Sequence, residues 1–116
     1  MEVFDEIIKK LENNKKVDEN ELISFLNDNN KDIKSMAFYL LGVVKYRDNQ
    51  FEEAFHFFYK ACKESDYSKI EFMRGFINTC KKFTIPEIQG SVLFKYAITA
   101  YKSGRFEETL ECFSIS

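Results

Sequence analysis

The side chains able to do chemistry are few and scattered. One histidine, His56, and three cysteines, Cys62, Cys80 and Cys112, are the soft ligands and nucleophiles of the chain. A zinc or catalytic thiol site needs several such groups at short spacing. Here the cysteines lie 18 and 32 residues apart and no CxxC occurs. Three reduced thiols filling core positions are the expectation, with His56 as partly exposed filler. Glu52-Glu53 and Glu107-Glu108 resemble paired carboxylates, but each pair falls where a helix starts, and acidic side chains are favoured there by the helix dipole. No glycine-rich phosphate loop, GxSxG or HExxH is present. No catalytic residue, metal ligand or cofactor is therefore nominated, and the chain is expected not to be an enzyme.

Charge excludes little more. The chain carries 17 basic and 19 acidic residues, a net charge of −2, so no whole-surface attraction to phosphate backbones is expected. Lys9-Lys10, Lys15-Lys16 and Lys81-Lys82 are the possible basic patch for RNA. Acidic residues interleave with them, and a solvated face is the simpler account. The start, Met1 to Glu6, lacks the basic and apolar runs of a secretory leader. The apolar run Met36 to Val44 is too short to cross a bilayer. A cytoplasmic location with no membrane contact is expected.

These sparse groups must be carried by helices. The 116 residues suffice for one compact domain, and 45% of them are hydrophobic, with 13 Phe and 6 Tyr. One Pro and four Gly are too few for the frequent turns of an all-β chain. Val3, Phe4, Ile7, Ile8 and Leu11 show helical spacing and predict a first helix to about Asn13. Asp18, with Glu21 as capping-box partner and a Val17–Leu22 staple, predicts a second helix to about Asn29. A third is predicted from about Asp32 to Arg47, a fourth over Phe51–Glu64 and a fifth over Ile70–Phe83. In the fifth, Met73, Phe76, Ile77 and Cys80 form one stripe, with Ile70 and Phe72 beside it. Pro86 suits the first turn of a sixth helix running to about Ser103. Gly104 suits the left-handed residue that follows, and a seventh helix starts near Phe106.

One stretch is more specific. Phe38-x-x-Leu41-Gly42, then Phe51-Glu52-Glu53-Ala54, Phe58 and Ala61 resemble a tetratricopeptide repeat, a helix–turn–helix unit that stacks into a solenoid. Phe38 stands where that pattern prefers Trp, Lys45 takes the Tyr place, and Asp66 replaces the closing Pro. The small residues have a physical role. Gly42 lets the partner helix come close, Ala54 and Ala61 give a flat surface, and Phe58 fills the gap between layers. The chain also echoes itself. Tyr46-Arg47-x-x-x-Phe51-Glu52-Glu53 recurs as Tyr101-Lys102-x-x-x-Phe106-Glu107-Glu108, 55 residues later. Contiguous repeats would recur at about 34 residues, so roughly one extra helix is interposed; Ile70–Phe83 accounts for it.

The resemblance implies an all-α, short superhelical stack of about seven antiparallel helices. A degenerate unit would cover 1–34, the best unit 35–68, the extra helix 69–85 and a partial unit 90–116. The extra helix either pairs with the sixth as a third hairpin or is an insertion before the next true repeat. The resemblance also implies a non-catalytic scaffold or adaptor that binds a partner peptide or helix on its inner face. That places Tyr39, Val43, Tyr46 and Arg47 of one unit, and Phe94, Ile98, Tyr101 and Lys102 of another, as partner-binding residues. The same aromatics could instead pack against the Ile70–Phe83 helix. Leu110, Cys112, Phe113 and Ile115 form an apolar edge on the last helix, expected to meet a second copy or an obligate partner. The alternative function is a nucleic-acid-binding or regulatory helical-repeat module.

Overall fold

The structure, a computed structural model, describes residues 2–115, with side chains through residue 112. A 3₁₀ turn at Glu2–Phe4 leads into α1 (Asp5–Glu12), followed by α2 (Glu19–Ile23), α3 (Lys31–Arg47), α4 (Phe51–Glu64), α5 (Ile70–Cys80), α6 (Pro86–Lys102) and α7 (Phe106–Ile115). No strand occurs among the described residues. The chain is compact, with a radius of gyration of 14.0 Å.

Helix starts follow the local chemistry. The Asp18 carboxylate accepts from the Asn20 N–H at 3.0 Å, so the cap forms without the reciprocal Glu21 bond. The Asn30 side chain accepts from the N–H groups of Asp32 and Ile33, which sets the start of α3 one turn ahead of its apolar stripe. Pro86 opens α6. Helix ends share one device. After α1, α3, α4 and α6 a residue with positive φ follows the cap: Asn14, Asn49, Asp66 and Gly104. In each case the next N–H reaches back five residues, as from Gln50 to the Lys45 carbonyl at 2.8 Å and from Arg105 to Ala100 at 2.8 Å. This is the Schellman closure, which satisfies carbonyls the helix leaves open.

Two elements are shorter than their periodicity predicts. After Ile23 the chain winds into tight turns, with Phe25 and Leu26 bonding three residues back, and the Ser24 hydroxyl donates to the Glu21 carbonyl at 2.6 Å. Serine offers the backbone this competing bond, and the turn swings Phe25 edge-on against Phe4, 5.2 Å between ring centres. Helix α5 ends at Cys80 instead of Phe83. Phe83 still bonds back to the Thr79 carbonyl and sets its ring against Phe55.

The helices pack largely in chain order. α3 lies on α4, α4 on α5, α5 on α6 and α6 on α7, while α3 also touches α2 and α5. One buried cluster joins Phe4, Ile7, Val17 and Leu22 to Leu40, Leu41 and Val44. A second joins Phe55, Phe58 and Ala61 to Met73, Phe76, Val92 and Tyr96. Leu26, Met36, Tyr39 and Phe57 pack against both, so the two cores share a seam along α3. The extra helix α5 thus sits against both α4 and α6. The sequence echo is also a geometric one. α3 and α6 are each 17 residues long. Tyr46 meets Phe51 edge-on at 5.2 Å, and Tyr101 meets Phe106 edge-on at 5.9 Å.

Two glycines are closely packed where α3, α4 and α5 meet. A Cβ added to Gly42 would stand 2.6 Å from the Phe58 ring, and one added to Gly75 would stand 2.9 Å from it. The ring is therefore held between two helix backbones, and a methyl group on either would force it to shift. Gly42→Ala is expected to cost up to about 2 kcal/mol in urea unfolding, because overpacking of about 1–3 kcal/mol opposes the roughly 1 kcal/mol that Ala gains as a helix former. Phe58→Leu should cost less in the Gly42→Ala background than in the wild type. Additive losses would show that the ring is not the obstacle.

Candidate functional site

Helix α3 presents two faces. Its buried face carries Ala37, Leu40, Leu41 and Val44. On the adjoining side Met36, Tyr39, Val43, Tyr46 and Arg47 are only half-buried. Helices α1 and α5 flank this side without closing over it. The result is a trough with two adjoining hollows. One, of about 500 Å³, is lined by Ile8 and Leu11 of α1, Met36, Tyr39 and Val43 of α3, and Phe72 of α5, with Glu12, Lys69 and Glu71 also on its wall. The other, of about 420 Å³, shares Leu11, Tyr39 and Val43 and continues to Tyr46, Arg47, Gly75 and Asn78.

Tyr39 is central to the trough and is also structural. Its ring stacks on Phe72 at 4.7 Å and 25° and leans on Phe58 at 5.6 Å. It packs against the extra helix, as one of the two expectations for it held, and it also lines the trough. Burial, and then the nearby Glu71 carboxylate, push its phenol above the ordinary value, so the hydroxyl remains a hydrogen-bond donor. Val43 carries no such ring contact and stands in both hollows. Arg47 closes one end. Its Nη1 donates to the Lys15 carbonyl at 2.7 Å, and its Nε lies 3.7 Å from Asp48. One of its donors thus ties α3 to the α1–α2 connection.

The second set of sequence-nominated residues is placed differently. Phe94, Ile98, Tyr101 and Lys102 are exposed on α6 and line neither hollow. The trough takes Ile8, Leu11, Phe72, Gly75 and Asn78 instead, which the sequence reading did not single out as binding residues. Phe72 had a signal: it lies off the main apolar stripe of α5, and an apolar residue off the core stripe needs another neighbour. Ile8 and Leu11 had none, since their helical spacing equals that of a core face.

Other charged and polar groups have structural partners. Lys45, which occupies the Tyr place of the repeat pattern, lies 2.8 Å from Glu19 of α2 and 3.2 Å from Glu53 of α4. The Glu19 hydrogen bond is the main cause raising its ammonium pKa. A roomier hollow of about 650 Å³ at the α1–α2 corner is lined by Val17 and Ile23 and walled by Lys10, Lys16, Asp18 and Glu19, a lining of mixed sign with only two apolar side chains. His56 is exposed, its ring edge-on to Phe55. Among the described residues no group of three or more His, Cys, Asp or Glu is placed to hold a metal ion, and no helix is long and apolar enough to cross a membrane. No family model, curated protein or solved structure matches this chain significantly.

None of the three cysteines forms a disulfide. Burial pushes Cys62 up to about 12 and Cys80 and Cys112 to about 11, against an ordinary 9.0. A thiol held protonated is a poor nucleophile. At neutral pH the folded protein should react with a thiol reagent roughly tenfold or more slowly than the urea-unfolded chain. The folded state keeps protons that the unfolded chain releases. Stability is thus full below about pH 9 and falls as pH rises toward 11–12. Urea midpoints measured from pH 8 to 11 should show this decline, and Cys62→Ala should flatten it. An unchanged slope in that variant would rule out the Cys62 contribution.

Proposed function

We propose that this chain is a tetratricopeptide-like helical-repeat module that binds a peptide or helix of another protein and performs no chemistry of its own. On this reading α1 and α3 are the first helices of successive units, α5 is the interposed helix beside them, and their shared side is the inner face of a short superhelix. The observation that carries the proposal is the trough itself. Three helices far apart in sequence converge on one half-open channel, and its wall is built from Ile8, Leu11, Met36, Tyr39, Val43 and Phe72. Apolar walls with few charged groups at the margin suit an amphipathic segment whose side chains at i, i+3 or i+4 and i+7 drop into successive hollows. Binding would come from burial of those side chains at about 25 cal/mol per Å². Glu12, Lys69 and Glu71 at the rim would set the direction in which the segment lies.

A random library of amphipathic 15- to 20-residue peptides, displayed and selected on the folded protein, tests the proposal. Selected binders should lose roughly tenfold or more in affinity to Val43→Lys, which puts a charge into both hollows while sparing the Tyr39–Phe72 stack. They should bind Phe94→Glu as they bind the wild type. A selection that yields no binders, or binders indifferent to Val43→Lys, would remove the trough from consideration. Steep salt dependence of binding to single-stranded RNA, with none to peptides, would favour the nucleic-acid reading.

A further inference from the structure

The α6–α7 hairpin repeats the α3–α4 hairpin in sequence and in geometry, yet the two meet different surroundings. On α3–α4 the face is partly sheltered by α5: Phe72 stacks on Tyr39, and Phe76 packs against Phe55, which is fully buried. The counterparts 55 residues later are bare. Phe94 is 63% exposed and Leu110 is 67% exposed, where Tyr39 and Phe55 are sheltered. Ile98, Tyr101 and Phe106 are exposed beside them. Five of the seven large apolar side chains exposed among the described residues are thus gathered on one hairpin, which is concentration and not scatter. At about 200 Å² for each large side chain, they show roughly 600 Å² of apolar surface, the top of the range a monomer leaves in water. Adding a polar rim brings this near the roughly 800 Å² per partner of a stable interface.

We propose that this face is the contact between two copies of the chain, with α6 antiparallel to α6 of the second copy about a two-fold axis near Phe94. Charge and shape both favour that occupant. Glu87 sits in the first turn of α6 and Lys102 in its last turn, and both are exposed. A two-fold axis midway between them sets each Glu87 against the other copy's Lys102 and opposes the two helix dipoles. The same axis brings Phe94 to Phe94 and sets Ile98 opposite Gly90. No atom lies within 4 Å of where a Gly90 side chain would start, so that position can receive the Ile98 side chain. Phe106 and Leu110 of α7 border the contact. The apolar edge expected at Phe113 and Ile115 lies outside the described side chains. The dimer does not depend on the trough between α1, α3 and α5.

Light scattering coupled to gel filtration, run across a wide concentration range, tests the proposal. The wild type should show twice the 13.8 kDa of the single chain and dissociate on dilution. Phe94→Glu, at a position exposed in the single chain, should run as a monomer with its thermal unfolding intact. Glu87→Lys should weaken the dimer roughly tenfold by setting Lys against Lys, and Glu87→Lys combined with Lys102→Glu should restore it. Val43→Lys should dimerise as the wild type does. A wild type that stays monomeric at several hundred micromolar, or a dimer that survives Phe94→Glu, would overturn the proposal. Failure of the double charge reversal to restore the dimer would overturn the antiparallel two-fold. A monomer that instead takes up an added amphipathic helix on this face would assign the surface to a different partner.

Discussion

Phe58 puts one aromatic ring between Gly42 of α3 and Gly75 of α5, at distances that leave no room for a methyl group on either. Most of the architecture depends on this contact. A helix pair usually approaches to 8–10 Å between axes, with side chains at the contact setting the value. Glycine removes that spacer on two helices at once, so a single ring from α4 can serve as the filler for both. The ring then fixes how far α5 stands from α3. That separation decides whether the side of α3 bearing Tyr39 and Val43 is sealed or left as a trough. Closer approach would bury Tyr39 outright. A wider gap would break its stack on Phe72, now 4.7 Å between ring centres.

Polar contacts stabilise this arrangement from outside. Lys45 reaches Glu19 and Glu53 on two neighbouring helices, Arg47 holds the Lys15 carbonyl, and Arg74 of α5 meets Glu108 of α7 at 2.6 Å. Individually such exposed pairs are worth little, roughly 0–1 kcal/mol. They act as orientation constraints between helices whose apolar contacts are not directional. The shared Schellman closures do similar work at the connections. Each ends its helix within a few residues and lets the next one start close by.

One hairpin design therefore meets two fates in this chain. On α3–α4 the exposed side is half sheltered by α1 and α5 and becomes a channel. On α6–α7 the corresponding side chains stand in water. Their residue types are alike, aromatic, β-branched, Tyr and basic, so composition does not distinguish trough wall from exposed face. The neighbours do. One motif thus presents two kinds of surface in this chain, a half-sheltered trough on α3 and exposed apolar side chains on α6 and α7.

Much of the helical layout was readable from local sequence. The bounds of α4, the caps at Asp18 and near Asp32, Pro86 at the head of α6 and Gly104 after it all rest on interactions within four or five residues, which a linear chain displays directly. So does the role of Gly42 beside Phe58, because a small residue facing a large one within a hairpin is a local pattern. The early end of α2 was not readable, since Ser24 gives only a local competing bond and the turn is completed by Phe25 meeting Phe4, a neighbour 21 residues away. Nor was the trough. Its walls come from α1, α3 and α5, and Ile8 and Leu11 look like core residues until the distance between helices is known. The 55-residue echo established that Tyr39 and Phe94 are equivalent in motif. Only the tertiary structure decided that one is stacked under α5 and the other exposed, because burial belongs to the set of neighbours, and a repeat can be copied in sequence without its neighbours being copied with it.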